Sequence, residues 1–462
     1  MRHLGGSGKI LVCVVPRREE PFRRLEANWI DIPAWRAHTP PGQQEDFVDL
    51  DNPFHHARKS VGAGLADHTA GPDMARMRNY RMARLQAELR RLDYAGAVLY
   101  DPINIRYATG SRNMAVWTLH NPARYAFVPA EGKAVIFDFH GCAHLSDGIE
   151  TIAEVRPARS WFFFSSGGRL AEKARVWANE IVDLVAERCG GNRRIAFDRL
   201  DPVGAKLLEA DGIEIHDAQE ACELARAVKS PDELACMNHA IAVCEAGMAR
   251  MQAALWPGVT EIELFAMLSD TNMRMGGEWM ECRLLSSGGR TNPWFQEASD
   301  RIVRPGDLVS FDTDMIGPLG YCADLSRTFR CGPGRASPEQ RKLYGLAMEQ
   351  IHANVELVKP GISLAEFSEK AWRIPDAYAA NRYSAVAHGI GMCDEWPRVA
   401  HLQDRERSGY DGVLEENMTI CIESYIGKEG GTEGVKLEQQ VLVTASGYQL
   451  LSTYPFEESL YA

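Results

Sequence analysis

The sequence predicts a mixed α and β protein in which an α/β domain is followed by an α+β domain. In the first half of the chain, short apolar segments alternate with amphipathic helical segments. In the second half, helices are grouped around segments that pair best as antiparallel hairpins. A strong helix-start signal near residue 230 separates the two patterns.

Residues 1–73 come first and show little periodicity. They are rich in Pro, Gly, Arg and Asp, and the stretch PPGQQEDFVDLDNPF is typical of a loop. We therefore predict an N-terminal arm that is partly irregular. Trp29 and Trp35 suggest that part of this arm docks on the protein, and a free terminus is the alternative.

Residues 74–228 are predicted to form the α/β domain. The segment at 75–92 has the period of an amphipathic helix, and AGAVLY, RYAFVP and KAVIFDF read as short apolar strands. A helix near 169–188, a strand at 194–198 and further helix to about 227 complete the domain.

Residues 229–462 are predicted to form the α+β domain. Ser230 is a candidate helix N-cap, Pro231 suits the first helical position, and Glu233 completes a capping box. Two helices and several strands follow, and then helices near 337–357 and 363–379 and further strands.

Composition and charge exclude several classes of protein. Of 462 residues, 45% are hydrophobic and 25% are charged, which is an ordinary globular balance. A formal net charge of −12 and the lack of a basic run argue against a nucleic-acid partner. No stretch approaches the ~18 apolar residues of a membrane span. The first apolar run is too short for a signal peptide, and the 11 scattered cysteines suit reduced thiols, so we predict a cytoplasmic protein.

Five carboxylates and one histidine in the second half have the spacing of a two-metal site. Asp312 and Asp314 are two residues apart, so a strand would present both on one face. A turn at 317–320 would then bring Asp324 back opposite them. The full set is Asp312, Asp314, Asp324, His388, Glu423 and Glu438.

Glu423 and Glu438 repeat the pattern, because they are equidistant from Gly430-Gly431, a strong hairpin-turn signal. Acids crowded on a buried sheet face repel one another and resist desolvation, so such a cluster requires cations. Oxygen-rich ligands with one imidazole suit Mn, Fe, Co or catalytic Zn, and shared carboxylates suit two ions about 3.5 Å apart. The alternative is that these acids are solvated at strand edges and never meet.

The segments ADLSRTF, AHGIG, CIESY and KLEQQVLV resemble, in this order, motifs of the pita-bread family of creatinase, aminopeptidase P and prolidase. The resemblance covers roughly residues 74–455. It implies a creatinase-like N-terminal domain, a pita-bread catalytic domain and a homodimer. It also implies five metal ligands, of which Asp324 and Glu438 bridge two ions: Asp312, Asp324, His388, Glu423 and Glu438.

The chain departs from the peptidases of that family at three places. Trp294 stands where they usually have a histidine, and the run from Asp394 to Trp396 replaces a second usual histidine. Asp314 replaces a small residue and adds a carboxylate. These departures, with GIGMCDEWP and NRYSAVAHG, are similar to one branch of the family, the dimethylsulfoniopropionate lyases of the DddP type.

The resemblance to this branch implies a zwitterionic substrate with a carboxylate and a sulfonium, which β-elimination converts to dimethyl sulfide and acrylate. It implies two divalent metal ions, with Fe as first choice and Mn, Co or Zn as alternatives. The metal centre would act as a Lewis acid on the carboxylate end. Asp394 is the candidate base for the α-proton, because a confined site raises a carboxyl pKa. The alternatives are that Asp394 is only a surface acid or that it is a partner of Arg398.

Aromatic rings are the expected partners of the sulfonium, because each cation–π contact is worth ~0.5–2 kcal/mol. Trp294, Trp396 and Tyr383 lie near the motifs and are the candidates for substrate contact, with core packing as the alternative for each. Trp117 or Trp161 could complete the cage across a dimer, and core packing is again the alternative.

Two other functions stay open on sequence grounds. An X-Pro metallopeptidase would use the same metal ligands, but this chain lacks the histidines of those peptidases. A non-catalytic protein that reuses the fold would be expected to lose metal ligands, whereas this chain keeps all of them and adds Asp314.

Overall fold

The computed structural model describes residues 71–461, all of which fall in one compact unit. The arm predicted at 1–73, with Trp29 and Trp35, therefore lies almost wholly outside the described residues. Among the residues that are described, no helix combines the length and the apolar character needed to cross a bilayer.

The first part of the described chain is a six-stranded mixed sheet flanked by helices. Its strands are β1 (Gly96–Leu99), β2 (Tyr125–Pro129), β3 (Ala134–Asp138), β4 (Ile152–Pro157), β5 (Arg194–Phe197) and β6 (Glu214–Asp217). Its helices are α1 (Met74–Arg91), α2 (Pro102–Thr109), α3 (Ala115–His120), α4 (Phe163–Ser166), α5 (Leu170–Arg188), α6 (Pro202–Ala210) and α7 (Gln219–Ala227). The strand order is β4-β3-β2-β1-β5-β6, antiparallel within β1-β2-β3 and parallel elsewhere.

Strand β1 shows why this sheet is covered on both faces. Ala97 and Leu99 belong to the apolar cluster that contains Leu85 of α1, whereas Val98 belongs to the cluster that contains Trp177 of α5. Successive side chains of a strand point to opposite faces, so a continuous apolar run needs a layer of helix on each side. The further helix predicted to about residue 227 is two helices, α6 and α7, and the strand β6 between them was not predicted from the sequence.

The second part of the described chain surrounds three antiparallel sheets with helices. Its helices are α8 (Pro231–Ala254), α9 (Glu261–Arg274), α10 (Pro338–Val355), α11 (Leu364–Lys370), α12 (Asp376–Ala379) and α13 (Arg405–Ser408). Its shorter strands are β7 (Trp279–Met280), β8 (Leu285–Ser287), β9 (Leu308–Phe311), β10 (Met315–Ile316), β11 (Cys322–Ala323) and β12 (Arg327–Arg330). The five-stranded sheet contains β13 (Ala387–Ile390), β14 (Asp394–Val399), β15 (Thr419–Gly427), β16 (Gly434–Thr444) and β17 (Gly447–Leu450), in the order β14-β13-β15-β16-β17.

Helix α8 begins as predicted. The Ser230 side chain accepts a hydrogen bond from the Glu233 backbone N–H, and the Glu233 carboxylate accepts one from the Ser230 N–H. The helix predicted near 363–379 is wrong as a single element, because residues between α11 and α12 are extended. Pro375 lies in that break, and proline disfavours the helical conformation of the residue before it.

The hairpin β15–β16 has one apolar and one polar face. Ile422 and Leu437 pack in the same cluster as Leu343 and Ile351 of α10. The alternate positions of both strands point the other way, and among them Glu423 lies directly opposite Glu438. The helix layer thus buries one face of the hairpin, and the other face is left to form the floor of a site.

Candidate active site

The structure brings all six predicted metal ligands together. Oxygens of Asp312, Asp314 and Asp324 lie within 4.8 Å of one another, as do ligand atoms of Asp324, His388, Cys421 and Glu438. Glu423 joins them, since its Oε1 is 3.3 Å from His388 Nε2. The alternative of solvated acids at strand edges is therefore wrong for Asp312, Asp324, Glu423 and Glu438, which are all buried.

The hairpin that carries Asp314 and Asp324 turns about the predicted residues, but the backbone leading into it is not the predicted strand. Strands β10 and β11 pair about residue 319, a register that puts Asp314 opposite Asp324. Residues 312–314, however, belong to no strand, and Asp314 has a left-handed φ of 32°. Aspartate tolerates this conformation better than most residues do. Asp312 and Asp314 thus converge through a kink rather than through strand alternation, and the Cys282 thiol donates to Asp314 Oδ2 at 2.7 Å.

The second hairpin is confirmed as predicted. Glu423 and Glu438 are cross-strand partners, and the turn that joins β15 and β16 contains Gly430 and Gly431. Side chains of directly opposed residues share a face and lie about 5 Å apart at Cβ. The two glutamates therefore face the same space as His388, whose strand β13 pairs with β15.

Lys436 is a member of the site that the sequence analysis missed. It is fully buried, and its ammonium lies 3.0 Å from Asp312 Oδ2, 2.7 Å from Glu423 Oε2 and 3.1 Å from Glu438 Oε2. It also donates to Ser326 Oγ at 2.6 Å. The sequence did contain a signal for Lys436. It lies two residues before Glu438, and on a strand this spacing places both side chains on one face.

Burial and mutual repulsion dominate the electrostatics of the acids. Burial and the charge of Glu438 raise the pKa of Asp312 to about 6, and the same two causes raise the pKa of Glu423 to about 7. Burial also raises the pKa values of Asp314 and Asp324 well above the ordinary range.

For two groups of the cluster, neighbouring charges outweigh the effect of burial on the pKa. Burial would raise the pKa of Glu438, but Lys436 and His388 outweigh it and hold this pKa well below its usual value. For His388, burial lowers the pKa, but Glu423, Glu438 and Asp394 outweigh it and raise this pKa well above the ordinary value. Five carboxylates thus share two cations, Lys436 and His388, so ionisation of all five acids would leave net negative charge in the cluster.

The donor set fits divalent metal ions. Asp324 Oδ1 and Glu438 Oε1 are buried and accept no hydrogen bond from the described residues. Glu423 Oε2 lies close to Lys436 Nζ but receives no hydrogen bond of acceptable angle. Buried carboxylate oxygens without donors are costly unless a cation meets them, and carboxylates with one imidazole suit Mn, Fe, Co or Zn.

Asp394 lies beside this cluster in an open cavity of about 410 Å³. The cavity is lined by residues that include Tyr383, His388, Asp394, Trp396, Arg398 and Tyr410. Asp394 Oδ1 is 3.7 Å from His388 Nδ1, and the side chain is 65% exposed to the cavity. Partial desolvation by the surrounding protein raises the pKa of Asp394, while the charge of His388 opposes that rise.

Arg398 does not neutralise Asp394. No nitrogen of Arg398 lies within 4.0 Å of a carboxylate oxygen of any described residue, and its Nη2 donates to the Ser384 carbonyl. The Arg398 backbone N–H donates to the Tyr410 hydroxyl at 2.5 Å. The structure therefore disfavours the alternative in which Asp394 is a partner of Arg398.

The candidate aromatic residues have three different environments. Tyr383 lines the cavity, and its ring centroid lies 4.7 Å from Lys436 Nζ. Trp396 is half-buried and also lines the cavity. Trp294 is only 6% exposed, packs on Tyr425 at a centroid distance of 6.0 Å, and is not one of the residues that line the cavity.

The aromatic residues of the first part of the chain lie in packing contacts. Trp161 is buried against Trp177 with ring centroids 5.1 Å apart, and Trp117 packs edge-on against Phe139. Core packing therefore accounts for Trp161, and Trp117 is half-buried on the side of a shallow groove.

Comparisons with known proteins agree with this architecture. Residues 81–228 match the creatinase/prolidase N-terminal domain, and residues 235–445 match metallopeptidase family M24. Among solved structures, an Xaa-Pro dipeptidase from Bacillus anthracis superposes with a TM-score of 0.67 at 20% identity, covering 82% of this chain and 99% of that one. The predicted fold class is thus confirmed.

Sequence comparison separates this chain from the peptidases. It is 41% identical over 402 residues to dimethylsulfoniopropionate lyase DddP of Roseovarius nubinhibens, covering 85% of this chain and 90% of the relative. It is 40% identical over 403 residues to the protein of the same name from Roseobacter denitrificans, with the same coverage. An Xaa-Pro dipeptidase from Pyrococcus furiosus is 29% identical over 49% of this chain. The chain belongs to the DddP family of dimethylsulfoniopropionate lyases, on the creatinase-plus-M24 architecture.

Proposed function

We propose that this protein is a carbon–sulfur lyase that cleaves dimethylsulfoniopropionate to dimethyl sulfide and acrylate by β-elimination. The observation that carries the proposal is the position of Asp394. Its carboxylate lies in an open cavity 3.7 Å from His388, at the edge of a buried acidic cluster. The two DddP relatives at 40% and 41% identity supply the substrate class.

The acidic cluster is the proposed site of two divalent metal ions. Asp312, Asp314, Asp324, His388, Glu423 and Glu438 would hold them, with iron as first choice and Mn, Co or Zn as alternatives. When bound, such ions supply Lewis-acid stabilisation of charge at a substrate carboxylate. Lys436 would remain beside Asp312, Glu423 and Glu438 as part of the protein's own charge balance.

Asp394 is the proposed base. It takes the proton from the carbon next to the substrate carboxylate, and the electrons of that C–H bond form the C=C bond of acrylate. The C–S bond breaks at the same time, and its electrons leave with dimethyl sulfide. A carboxyl with a raised pKa is better matched to proton transfer near neutral pH, and the open cavity lets Asp394 return the proton to water.

Tyr383 and Trp396 are the proposed contacts of the sulfonium end. Both line the cavity that contains Asp394, so a cation there would meet aromatic surface. Trp294 is a weaker candidate, because it is buried and its ring faces Lys436 Nζ at 5.9 Å.

Replacing Asp394 by alanine tests the proposal. We expect Asp394→Ala to lower dimethyl sulfide release by at least about 10²-fold, which is the usual worth of a positioned base. Metal content and melting temperature should stay unchanged, because no described residue donates a hydrogen bond to the Asp394 carboxylate. Asp411→Ala, at an exposed acid of the same domain, is the matched control. Full activity of Asp394→Ala, measured as headspace dimethyl sulfide, would remove Asp394 from the mechanism.

The same preparations should be assayed with an X-Pro dipeptide. We expect no cleavage, since His388 is the one imidazole among the residues that line the described cavity. Dipeptide cleavage without dimethyl sulfide release would instead favour the X-Pro peptidase function.

The oligomeric state and the compartment are also proposals. A homodimer is supported by exposed apolar side chains, Met114, Val116 and Leu145, around a groove of about 590 Å³. A cytoplasmic location is supported by the described cysteines, which form no disulfide. Light scattering of the purified protein would test the dimer, and a monomeric mass would exclude it.

A further inference from the structure

Asp394 is held by its backbone rather than by its side chain. Among the described residues, no group donates a hydrogen bond to its carboxylate, and the nearest charged group is His388 at 3.7 Å. Its strand neighbours must therefore determine where the carboxylate points. Asp394 is opposite Ile390 in the ladder between β13 and β14, in the short connection that turns at 391–393.

Glu395 fills the inside of this turn. Its side chain is 1% exposed, and its Oε1 accepts a hydrogen bond from the Met392 backbone N–H at 3.0 Å. A Cβ at Gly391 would lie 2.4 Å from the Glu395 carboxylate, so the turn closes directly around that group. The carboxylate thus fixes the chain on one side of Asp394.

Two cations from the junction between α7 and α8 hold Glu395 in turn. Lys229 Nζ is 3.0 Å from Glu395 Oε2, and Arg226 Nε is 3.1 Å from Glu395 Oε1. Arg226 also pairs with Glu223, whose Oε2 accepts a hydrogen bond from the Trp396 N–H at 2.8 Å. We name these four residues the charge clamp: Glu223, Arg226, Lys229 and Glu395.

The charge clamp is balanced, with two anions and two cations. Buried ion pairs seldom stabilise a fold more than apolar packing of the same volume would, because desolvation offsets their attraction. The ion pairs of the charge clamp have a geometric consequence. Glu395 accepts a hydrogen bond from the Met392 backbone N–H and Glu223 accepts one from the Trp396 backbone N–H, so the chain is held on either side of Asp394.

We propose that Glu395 is a positioning residue for Asp394, and that the charge clamp couples the end of the first domain to the orientation of the base. The proposal rests on the proposed function, in which Asp394 takes the substrate proton. A carboxylate displaced by about 1 Å from the reacting carbon can cost about 10²-fold in rate, so small movements of this turn matter.

The charge-neutral double variant Glu395→Gln/Lys229→Met tests the proposal. It removes one anion and one cation together, so no buried charge is left without a partner, as it would be in either single variant. We expect kcat to fall about 10- to 100-fold with KM within about twofold, because Glu395 acts on the base and not on substrate binding. Metal content and melting temperature should stay near those of the parent protein. The matched control is Glu416→Gln/Lys359→Met, at two exposed positions outside any described ion pair.

A cycle with Asp394→Asn separates positioning from general structural damage. If Glu395 acts through Asp394, the double variant should lower kcat by less than about twofold further when Asp394→Asn is already present. Independent, multiplying losses would overturn the proposal, and so would loss of metal or of cooperative melting in the double variant. A parent-like kcat in the double variant would overturn it while leaving the proposed function intact. Parent-like activity of Asp394→Asn would instead remove the proposed base itself.

Discussion

Lys436 shows most clearly how one residue changes the chemistry of this site. One ammonium contacts three carboxylates of the cluster and lies over the ring of Tyr383. Lysine is almost never fully buried without partners, so its burial here reflects the surrounding acids. With Lys436 in place, the cluster keeps a fixed positive charge among its carboxylates.

Lys436→Met should destabilise the metal-free protein far more than Lys436→Arg does. Removing the ammonium leaves buried Asp312 without its cation and leaves Glu423 and Glu438 with His388 alone, a class of change that costs about 3–5 kcal/mol. Bound metal ions would offset part of this loss. Melting curves with and without chelator measure the effect, and an equal loss in both conditions would contradict the proposed role in charge balance.

His388→Ala should lower metal content and dimethyl sulfide release together. The imidazole is the one nitrogen donor in the predicted ligand set, and it lies within 3.3–3.7 Å of Glu423, Glu438 and Asp324. His120→Ala, at an exposed histidine that ends α3, is the control. Elemental analysis beside the activity assay would show the result, and unchanged metal occupancy would count against His388 as a ligand.

At the scale of elements, the irregular pairing of β13 with β14 positions the site. His388 is opposite Arg398, but the next residue, Gly389, is opposite Glu395. Two extra residues on β14 therefore form a bulge, and a bulge redirects neighbouring side chains. The irregularity falls between the candidate ligand His388 and the turn that carries Asp394.

Gly389→Ala should reduce both stability and activity. A Cβ there would lie 2.4 Å from the Trp396 carbonyl oxygen, a backbone atom that cannot move without shifting the bulge. Overpacking of this kind costs about 1–3 kcal/mol. Gly447→Ala, where nothing lies within 4 Å of the new Cβ, should change stability by less than about 0.5 kcal/mol. Denaturant melts of both variants give the comparison, and equal midpoints would contradict the steric argument.

Local sequence signals account for the elements that were predicted well. The capping box at Ser230 and Glu233 needs only neighbouring residues, and the register of β15 with β16 follows from its glycine turn. The kink at Asp314 was not predicted, since a D-x-D spacing reads as an ordinary strand. The contact of Cys282 with Asp314 spans 32 residues, and no local pattern encodes it.

At the scale of the whole molecule, the buried acids should make the stability of the metal-free protein depend on pH. Asp312 and Glu423 have pKa values raised to about 6 and about 7, and the pKa of His388 is also raised. Each of these groups binds more protons in the folded than in the unfolded chain, so stability is lost as pH rises through the folded pKa values. The lowered pKa of Glu438 acts only below about pH 4.5, outside this window.

We therefore expect the metal-free protein to melt at a lower temperature at pH 8 than at pH 5, by at least about 2 °C. Metal ions compete with protons for the same carboxylates, so loading with divalent metal should reduce or reverse this trend. Calorimetry of chelated and metal-loaded protein at both pH values gives the comparison. A higher melting temperature for chelated protein at pH 8 would show that the acids are not protonated in the folded state.

The sequence by itself determined the two classes of domain, the six members of the acidic and imidazole set, and Asp394 as the distinctive acid. The domain classes and the acidic and imidazole set follow from periodicity, turn residues and ordered motifs, which are properties of neighbouring residues. Asp394 follows from the resemblance to the lyase branch of the family. Only the tertiary structure decided which groups surround those acids. The contacts of Lys436 with Asp312 and Trp294, and the pairing of Glu395 with Arg226 and Lys229, all join distant parts of the chain. The physical reason is that desolvation and charge pairing depend on distance in space, which local sequence patterns do not specify.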